Sequence, residues 1–458
     1  MRVYRFRNKK VAVLGFMMEG KALVRYLLKG KANVTVFDRK EREELDFDDI
    51  GVARINLVCG VNYLENGLED YDIIFRSPGV YRYIPEIVGA EEKGVEISSE
   101  IKLFFDLCPG RIIGITGTKG KGTTATLIYN ILKKSGKDVH LAGNIGITRL
   151  GLLPKLRKTS WVVLELSSFQ LIDLEKSPHI AVVLNITSDH MDWHKDRKEY
   201  VDAKKNIVSH QGKDDHALVN YDYKDSGSFG RLSNGKVCYF STKRKVNGCF
   251  VLNNQIILSI NDKKEVIGST NNLLIRGEHN WENVSAAVCA SAFAGASTSS
   301  IKSVVFSFKG LKHRLELVGK VGGVGFYNDS FSTNPQTAIA AINSFTEPIT
   351  LILGGFDKGL NYNKLAKVVR EARNVVNVIL IGDIAGKLKK ALNSVKFKGK
   401  ILELGKSTMD KIVSVAYKST QNGGVVLLSP ATSSFDMFEN YKERGDKFKE
   451  AVKLLSSK

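Results

Sequence analysis

Residues 114–124 combine glycines with a lysine at a spacing suited to phosphate binding. The apolar pair Ile112 and Ile113 before them predicts a strand, and residues 125–132 after them predict a helix. A glycine-rich turn between a strand and a helix directs backbone N–H groups and the positive end of the helix dipole at one point, where an anion fits. Lys121 adds a positive charge that suits a terminal phosphate. This stretch therefore predicts a nucleoside triphosphate site.

The same stretch departs from the strict P-loop pattern at two positions. Ile115 stands where that pattern has its first glycine, and Gly122 stands where it has a serine or threonine. A glycine-rich turn that caps the helix without any ligand therefore remains an alternative at this point.

Polar residues also follow two predicted strands downstream of this stretch. The strand at 161–164 ends at Glu165 and the strand at 180–184 ends at Asn185, and Asp189 and His190 come soon after. In a parallel sheet these ends converge on the phosphate site. Carboxylate and imidazole groups near a triphosphate suit Mg²⁺. For Asp189 and His190 alone, a plain surface turn is an equally good interpretation.

Other candidate residues have structural alternatives. Lys204 falls on a predicted helix, where a lysine ordinarily lies on the solvated face. Asn280 and Asn283 share one helical face, although an N-cap arrangement explains them as well. In the last third of the chain, three strand ends carry hydroxyls together with Asp329 and Lys358, which predicts one polar crevice for an anionic substrate.

The elements that position these residues fall into three α/β blocks. The first has strands at 10–15, 34–37 and 73–75 and a helix at 21–28, with Gly15, Asp38 and residues 76–79 at strand ends. The second has strands at 139–141, 161–164, 180–184 and 216–219, followed at 222–272 by what we interpret as antiparallel hairpins. The third has strands at 325–327, 349–353, 378–381, 401–404 and 425–428 that alternate with helices, which predicts a mostly parallel sheet.

Composition excludes several classes of protein. Hydrophobic residues make up 43% and charged residues 25% of the 458 residues, as in globular proteins. No apolar run reaches the ~18 residues that a membrane span needs, and the basic residues 1–10 are not followed by a signal-peptide core. The five cysteines are scattered and show no C-x-x-C spacing. We therefore expect a cytoplasmic protein with reduced thiols and no membrane partner.

The positive charge is unevenly distributed. The formal net charge is +20, yet residues 1–110 carry 17 Lys and Arg against 18 Asp and Glu. The densest basic stretch, residues 387–400, falls on a predicted surface helix and turn, which favours a solvated face over a nucleic-acid site. We expect no nucleic-acid partner and a charge that attracts anionic small substrates.

Taken in order, these motifs resemble those of the Mur ligase family. The matching segments are residues 117–124, 143–146, 165–170, 185–190, 203–204, 279–283, 313–314 and 328–330. Segments 329–335, 354–359 and 428–438, with Tyr441, Arg444, Gly445 and Phe448, are most similar to the members that add D-glutamate. The resemblance implies an α/β fold of three domains: a Rossmann-like N-terminal domain (1–108), a central P-loop mononucleotide-binding ATPase domain (109–311) and a Rossmann-like C-terminal domain (312–458).

The resemblance also implies an activity. The expected reaction is ATP-dependent addition of D-glutamate to UDP-N-acetylmuramoyl-L-alanine through an acyl phosphate, with Mg²⁺ (two ions) and a carbamylated Lys204, in a monomer that uses only these small molecules. The implied catalytic residues are Lys121, Glu165, His190 and Lys204. The implied metal-binding residues are Thr123, Asn144, Glu165, His190 and Lys204.

Three further sets of residues are implied by the same resemblance. ATP would contact Gly117, Thr118, Lys119, Gly120, Lys121, Gly122, Thr123, Thr124, Asn280, Asn283, Arg314 and Asp329. The UDP substrate would contact Gly15, Phe16, Met17, Asp38, Ser77, Gly79, Asn144 and Ser167. D-glutamate would contact Thr333, Lys358, Ser434, Phe435 and Tyr441.

Two positions depart from the family pattern. Gly122 replaces the hydroxyl residue that usually follows the loop lysine, so a direct metal contact there would come from Thr123. Phe331 stands where some members carry lysine. Two other interpretations stay open: a folylpolyglutamate synthase-like ligase, which lacks a whole nucleotide-type domain before the phosphate loop, and a basic nucleic-acid-binding NTPase.

Overall fold

The computed structural model describes residues 2–47, 50–51, 54–65, 67–143 and 148–456. The chain forms two compact units. Unit one comprises Met1–Thr270 with Glu282–Val305, and unit two comprises Asn271–Trp281 with Phe306–Lys458. Over the described residues, no helix has both the length and the apolar character needed to cross a membrane.

Unit one begins with a five-stranded parallel sheet in the order β3-β2-β1-β4-β5. Its strands are β1 (Lys10–Leu14), β2 (Asn33–Asp38), β3 (Asn56–Cys59), β4 (Ile73–Arg76) and β5 (Glu96–Ser98). Its helices are α1 (Met18–Lys29), α2 (Pro85–Glu92) and α3 (Glu100–Leu107). The predicted helix at 21–28 is therefore correct but begins earlier, at Met18.

Unit one also contains a nine-stranded sheet in the order β14-β13-β12-β11-β10-β9-β6-β8-β7. Its strands are β6 (Arg111–Thr116), β7 (Val139–Ala142), β8 (Trp161–Glu165), β9 (Ile180–Val183), β10 (His216–Asn220), β11 (Lys236–Ser241), β12 (Gly248–Leu252), β13 (Gln255–Ile260) and β14 (Lys263–Ser269). Its helices are α4 (Lys121–Lys134), α5 (Arg149–Leu152), α6 (Ser168–Leu171), α7 (Arg197–Ser209), α8 (Lys224–Ser228), α9 (Glu278–Phe293, whose first turn belongs to unit two) and α10 (Thr298–Val305).

The expectation of antiparallel hairpins throughout 222–272 is wrong for its first half. Residues 224–232 are helical, and they return the chain so that β11 pairs parallel to β10. β12 is also parallel to β11, and only β12, β13 and β14 form an antiparallel meander. Short alternating runs predict strands but carry no information on strand direction.

Unit two contains a six-stranded sheet in the order β15-β16-β20-β17-β18-β19. Its strands are β15 (Glu316–Val321), β16 (Val324–Asn328), β17 (Ile349–Gly354), β18 (Val375–Ile381), β19 (Lys400–Gly405) and β20 (Val425–Leu428). Its helices are α11 (Pro335–Ile342), α12 (Asn363–Glu371), α13 (Ala385–Ser394), α14 (Met409–Ser419) and α15 (Tyr441–Ser456). β15 is antiparallel to β16 and the other pairings are parallel.

The strands that carry the candidate residues are buried along their length. β9 and β20 are apolar and buried at every position, which is the pattern of strands covered by helices on both faces of a parallel sheet. In each sheet the carboxyl ends of neighbouring parallel strands meet at one edge. The predicted α/β class with three sheets is confirmed, while the domain boundaries at 108/109 and 311/312 remain predictions.

A buried ion-pair network joins segments of unit one that are far apart in sequence. Arg149 donates from Nε to Glu100 at 2.6 Å and also pairs with Glu19. Gln170 donates to the same Glu19 carboxylate at 2.7 Å. Burial, the largest influence, raises the pKa of the Glu100 carboxyl against the opposing effect of Arg149. The network fixes α5 and the residues after β8 against the glycine turn that follows β1.

Candidate active site

The phosphate-loop candidate connects β6 to α4 and depends on two glycines. Gly117 has φ +149°, and a Cβ there would lie 2.7 Å from the Leu184 Cβ. Gly120 has φ +89°, and a Cβ there would lie 2.1 Å from the Asn283 side-chain oxygen. Both positions therefore exclude side chains, which explains the glycine content of the loop.

Hydrogen bonds inside the protein already use part of this loop. The N–H groups of Thr118 and Lys119 donate to Asn185, at 2.7 Å to its carbonyl and 3.2 Å to its side chain. The Thr118 hydroxyl is 2.9 Å from the Tyr200 hydroxyl and accepts from the Thr187 N–H at 2.9 Å. These bonds tie the loop to the segment that leads to His190.

Two lysines converge on the carbonyl oxygen of Gly117. Lys121 Nζ donates to it at 2.9 Å and to the Thr118 carbonyl at 3.1 Å. Lys204 Nζ donates to it at 3.4 Å and to the Thr116 hydroxyl at 3.3 Å. The loop backbone thus orients both ammonium groups.

Lys204 is buried, so the expectation that its helix face is solvated is wrong. Its side chain is 2% exposed, and Nζ lies 4.7 Å from the centre of the Tyr200 ring. Asp196 caps α7 by accepting from the Glu199 N–H at 2.8 Å, and Lys204 lies on the buried face of this helix. Burial, with the nearby Lys121 charge, lowers the pKa of Lys204 well below its ordinary value.

A cavity of about 800 Å³ in unit one collects most of the residues predicted for the UDP substrate and the metal. Its lining includes the predicted residues Gly15, Met17, Asp38, Ser77, Gly79, Lys121, Glu165, Ser167 and His190. Phe16 does not line it, because its side chain is buried in the core. Lys204 lies beneath the wall, and Asn144 lies outside the described residues.

The wall from the first sheet is held by Asp38 and Ser77. The Asp38 carboxylate accepts from the Phe16 N–H at 2.7 Å, and the Ser77 hydroxyl donates to the Gly15 carbonyl at 3.0 Å. A Cβ at Gly20 would lie 2.0 Å from the Gly15 carbonyl oxygen. This position in the first turn of α1 must therefore be occupied by a residue without a side chain. These contacts shape the turn after β1 at the cavity edge.

The opposite wall carries two of the five predicted metal ligands, Glu165 and His190. Glu165 ends β8, and the capping box of Ser167 and Gln170 starts α6 two residues later. His190 has a positive φ of +55° and an exposed ring that lies 4.8 Å from the Phe169 ring. Thr123 is half-buried in the first turn of α4. Within the described ranges, no group of three or more His, Cys, Asp or Glu forms a metal cluster.

A hydrogen-bonded chain of side chains behind this wall was not predicted from sequence. Ser168 Oγ lies 2.8 Å from His194 Nε2, and His194 Nδ1 lies 2.9 Å from Glu199. The second Glu199 oxygen accepts from the Tyr81 hydroxyl at 2.8 Å. Tyr81 and Phe169 both line the cavity. Their closeness in sequence to residues 76–79 and to Glu165 was the available signal.

The asparagines of α9 have distinct partners. Asn283 accepts from the Thr124 hydroxyl at 3.3 Å, so it contacts the start of α4. Asn280 donates to the Arg276 carbonyl at 2.6 Å, within unit two. Glu282, which sequence reasoning missed, accepts from Asn220 and Tyr223 at 3.0 and 2.9 Å.

In unit two, Asp329 is the centre of the predicted crevice. Its carboxylate accepts from the hydroxyls of Ser332 and Ser429, the latter at 2.8 Å, and from the Leu315 N–H at 3.1 Å. Burial raises the pKa of Asp329 to about 6, against the lowering by these hydrogen bonds. Asp329 thereby joins the ends of β16 and β20.

Most of the remaining predicted residues of unit two lie on the loops after β16, β17 and β20, while Tyr441 begins α15 and Arg314 precedes β15. Thr333 and Tyr441 are half-buried, while Lys358 and Phe435 are exposed. The Ser434 hydroxyl is buried and lacks a hydrogen-bond partner in the part of the chain that the structure describes. The exposed Arg314 lies with its guanidinium carbon 3.9 Å from the centre of the Phe331 ring. Because β16, β20 and β17 are neighbours, one sheet edge carries all three loops.

Three family models match successive parts of the chain. They are the MurD-like N-terminal domain of Mur ligases over residues 9–99, the Mur ligase middle domain over 115–291 and the Mur ligase glutamate ligase domain over 313–432. Together with the relatives described next, these matches show that the chain belongs to the Mur ligase family.

Two relatives that are similar to this chain over nearly its whole length carry the same enzyme name. UDP-N-acetylmuramoylalanine--D-glutamate ligase of Acetivibrio thermocellus is 40% identical over 460 residues, which cover 99% of this chain and 98% of the relative. The Clostridium botulinum enzyme of the same name is 38% identical over 457 residues, covering 98% and 97%. A solved structure, MurF ligase from Thermotoga maritima in complex with ADP, is similar with a TM-score of 0.58 at 18% identity, covering 99% of this chain and 96% of that one.

The Asp329 carboxyl should make stability depend on pH. Its folded pKa of about 6 lies above the ordinary 3.8, so the folded state holds the proton more tightly and stability falls as pH rises from about 4 to 6. The shift corresponds to about 3 kcal/mol at most. The free energy of unfolding, measured in urea, should decrease between pH 4 and 7 for the wild type, and Asp329→Asn should not show this decrease. Parallel pH–stability curves for the two proteins would contradict the assignment.

Proposed function

We propose that this chain is an ATP-dependent amide ligase that adds D-glutamate to UDP-N-acetylmuramoyl-L-alanine. The observation that carries the proposal is the cavity of unit one, where Lys121, Glu165 and His190 line the same space as Gly15 and Asp38. Such a cavity can hold a nucleotide sugar with its far end beside a phosphate loop. The names of the relatives support D-glutamate as the amino acid that is added.

The reaction would proceed in two steps. A carboxylate oxygen of the alanine end attacks the γ-phosphorus of ATP, and ADP leaves. The amine nitrogen of D-glutamate then attacks the resulting acyl carbon and loses a proton, and phosphate leaves with the carboxylate oxygen that had attacked the γ-phosphorus. Such phosphoryl transfer needs positioning and neutralisation of charge more than covalent participation of the protein.

The phosphate loop would bind the triphosphate with Lys121 as its main cation. The chain contributes the glycine-lined loop, residues 117–124, and the N-terminus of α4. Asn280 would lie near the adenine, Asn283 would contact ATP as well, and Arg314 and Asp329 would complete the ATP site. Because the Thr118 and Lys119 N–H groups already bond Asn185, we expect the phosphates to use the later N–H groups of the loop.

Mg²⁺ would be held by Glu165 and His190, with Thr123, Asn144 and a carbamylated Lys204 as further ligands. Glu165 and His190 line one cavity with Lys121, so the donor set fits a cation bridging toward the phosphates. When bound, Mg²⁺ would neutralise charge that develops on the transferred phosphoryl group. Lys204 fits this set only as a carbamate, since an ammonium repels a cation.

The first sheet would hold the UDP substrate through Gly15, Met17, Asp38, Ser77 and Gly79, with the Phe16 backbone and Ser167 nearby. On unit two, Lys358 supplies a charge, Thr333 and Ser434 supply hydroxyls, and Phe435 and Tyr441 supply apolar walls for D-glutamate. The chain would act in peptidoglycan precursor synthesis, as the names of the relatives indicate, and as a monomer in the cytoplasm, where its five free cysteines would stay reduced.

Phosphate release should require the complete set of substrates. Purified protein with ATP, Mg²⁺, UDP-N-acetylmuramoyl-L-alanine and D-glutamate should release phosphate. Lys121→Ala should lower turnover at least about 100-fold, since a group that stabilises transition-state charge is lost. Lys133→Ala, at the exposed far end of the same helix, serves as the matched control.

Different outcomes of that assay would point to different functions. Release with another amino acid in place of D-glutamate would change the specificity, and release with folate and L-glutamate would favour a folylpolyglutamate synthase-like ligase. Salt-sensitive binding of DNA or RNA with stimulated ATP hydrolysis would favour the nucleic-acid NTPase. Undiminished turnover of Lys121→Ala would refute the role of the loop.

Lys204 should carry a carbamate in the active enzyme. Its depressed pKa makes the neutral amine accessible, and only the neutral amine adds CO₂, releasing a proton. In ¹³C-bicarbonate, the wild type should show a carbamate carbonyl NMR signal that Lys204→Ala lacks. Acetate or propionate should restore part of the activity of Lys204→Ala but none of that of Lys121→Ala. Full activity of Lys204→Ala without additives would exclude the carbamate.

A further inference from the structure

Arg444 is a buried cation whose partners are all neutral. Its guanidinium donates from Nε to the Ser330 hydroxyl at 3.0 Å, and from its two terminal nitrogens to the carbonyls of Ser330, Thr432 and Ser433 at 3.0, 3.0 and 3.2 Å. The side chain is fully buried, and burial lowers the pKa of Arg444 to about 10. Among the described residues Arg444 forms no direct salt bridge, although the more distant Asp436 carboxylate raises its pKa against the effect of burial.

The other fully buried arginines of the described chain are different. Arg76 lies 3.3 Å from Asp173, and Arg149 lies 2.6 Å from Glu100. Burying a charge without a counter-ion costs several kcal/mol relative to water. Arg444 therefore has no directly paired carboxylate in unit two and only the more distant Asp436 to oppose burial, whereas Arg76 and Arg149 in unit one are each paired directly with a carboxylate.

The partners of Arg444 lie on the loops that would hold the amino-acid substrate. Ser330 follows β16 and leads to Thr333, while Thr432 and Ser433 follow β20 and lead to Ser434. A Cβ at Gly355, after β17, would lie 3.1 Å from an Arg444 terminal nitrogen, so this loop packs on the guanidinium too. One side chain thus sets the relative positions of all three loops.

Two buried hydroxyls beside Arg444 support an anionic ligand at this edge. The Ser433 and Ser434 hydroxyls have no hydrogen-bond partner within the described ranges. Buried hydroxyls normally find a partner, and both follow directly after the carbonyl-bearing residues that Arg444 holds. A ligand carboxylate would accept a hydrogen bond from such a hydroxyl and would place a negative charge near Arg444.

We propose that Arg444 is a positioning residue of the amino-acid site: it fixes the loops that carry Thr333, Lys358 and Ser434, and its positive charge, which no carboxylate pairs directly, favours a dicarboxylate there. The inference rests on the proposed function for the identity of the amino acid. It assigns no contact between Arg444 and the substrate, because the guanidinium is buried beneath the loops.

The test is a comparison of Michaelis constants in the full-length enzyme. Arg444→Met should raise the KM for D-glutamate at least 10-fold, with less than 3-fold changes in the KM for ATP and for the UDP substrate. Arg444→Lys keeps the positive charge but not the planar arrangement of donors, so its KM for D-glutamate should lie between those of Arg444→Met and the wild type. Thr420→Ala removes hydrogen bonds at 2.7 Å to Thr350 and Ala416, away from the loops, and controls for lost stability.

A milder variant covers a failure of Arg444→Met to fold. Ser330→Ala deletes the acceptor of the Nε bond together with the bond that the Ser330 hydroxyl donates to the Tyr441 carbonyl at 2.8 Å. It should raise the KM for D-glutamate several-fold without affecting the other two constants. An unchanged KM for D-glutamate, or an equal rise of all three constants, would overturn the proposal. If the wild type uses another amino acid, the proposed specificity fails, and the same comparison with that amino acid still tests Arg444.

Discussion

The ammonium groups of Lys121 and Lys204 both lie within hydrogen-bond distance of the Gly117 carbonyl oxygen, at 2.9 and 3.4 Å. Two positive charges this close, one of them buried, repel each other strongly, and burial with this repulsion lowers the pKa of Lys204. Burial and the Lys121 charge favour the neutral form of Lys204, while the Asp189 and Glu165 carboxylates oppose them. The proposed phosphate site depends on this charge balance around the lysine pair.

The topology of the sheets supplies the groups that surround this lysine pair. β6 is flanked by β8 and β9 in parallel pairing, so Glu165 and the segment leading to His190 leave the sheet at the same edge as the loop. The Arg149 network fixes the turn after β1 to this edge through Glu19 and Gln170. In unit two as well, the loops after neighbouring parallel strands, β16, β20 and β17, lie at one edge of the sheet. Asp329 and Arg444 connect these loops by hydrogen bonds.

The sequence predicted the elements better than their environment. Apolar runs placed the central strands to within a few residues, because buried parallel strands have a strong local signal. Helical periodicity placed Lys204 on a helix but not its inward direction, which depends on packing against β6. The direction of β11 and the partners of Arg149 and Arg444 depend on contacts between segments far apart in the chain, which no local pattern encodes. The family resemblance named residues that line the cavity because the order of the motifs along the chain, rather than any single motif, is specific.

In the proposed reaction, ATP activates a substrate carboxylate beside the lysine pair. A substrate carboxylate labelled with ¹⁸O on both oxygens tests this directly, because the attacking oxygen must leave with phosphate. Mass spectrometry of the released phosphate should then show one ¹⁸O atom per molecule when ATP and D-glutamate are present. Phosphate without ¹⁸O would mean that water attacks the nucleotide, and it would contradict the acyl-phosphate mechanism.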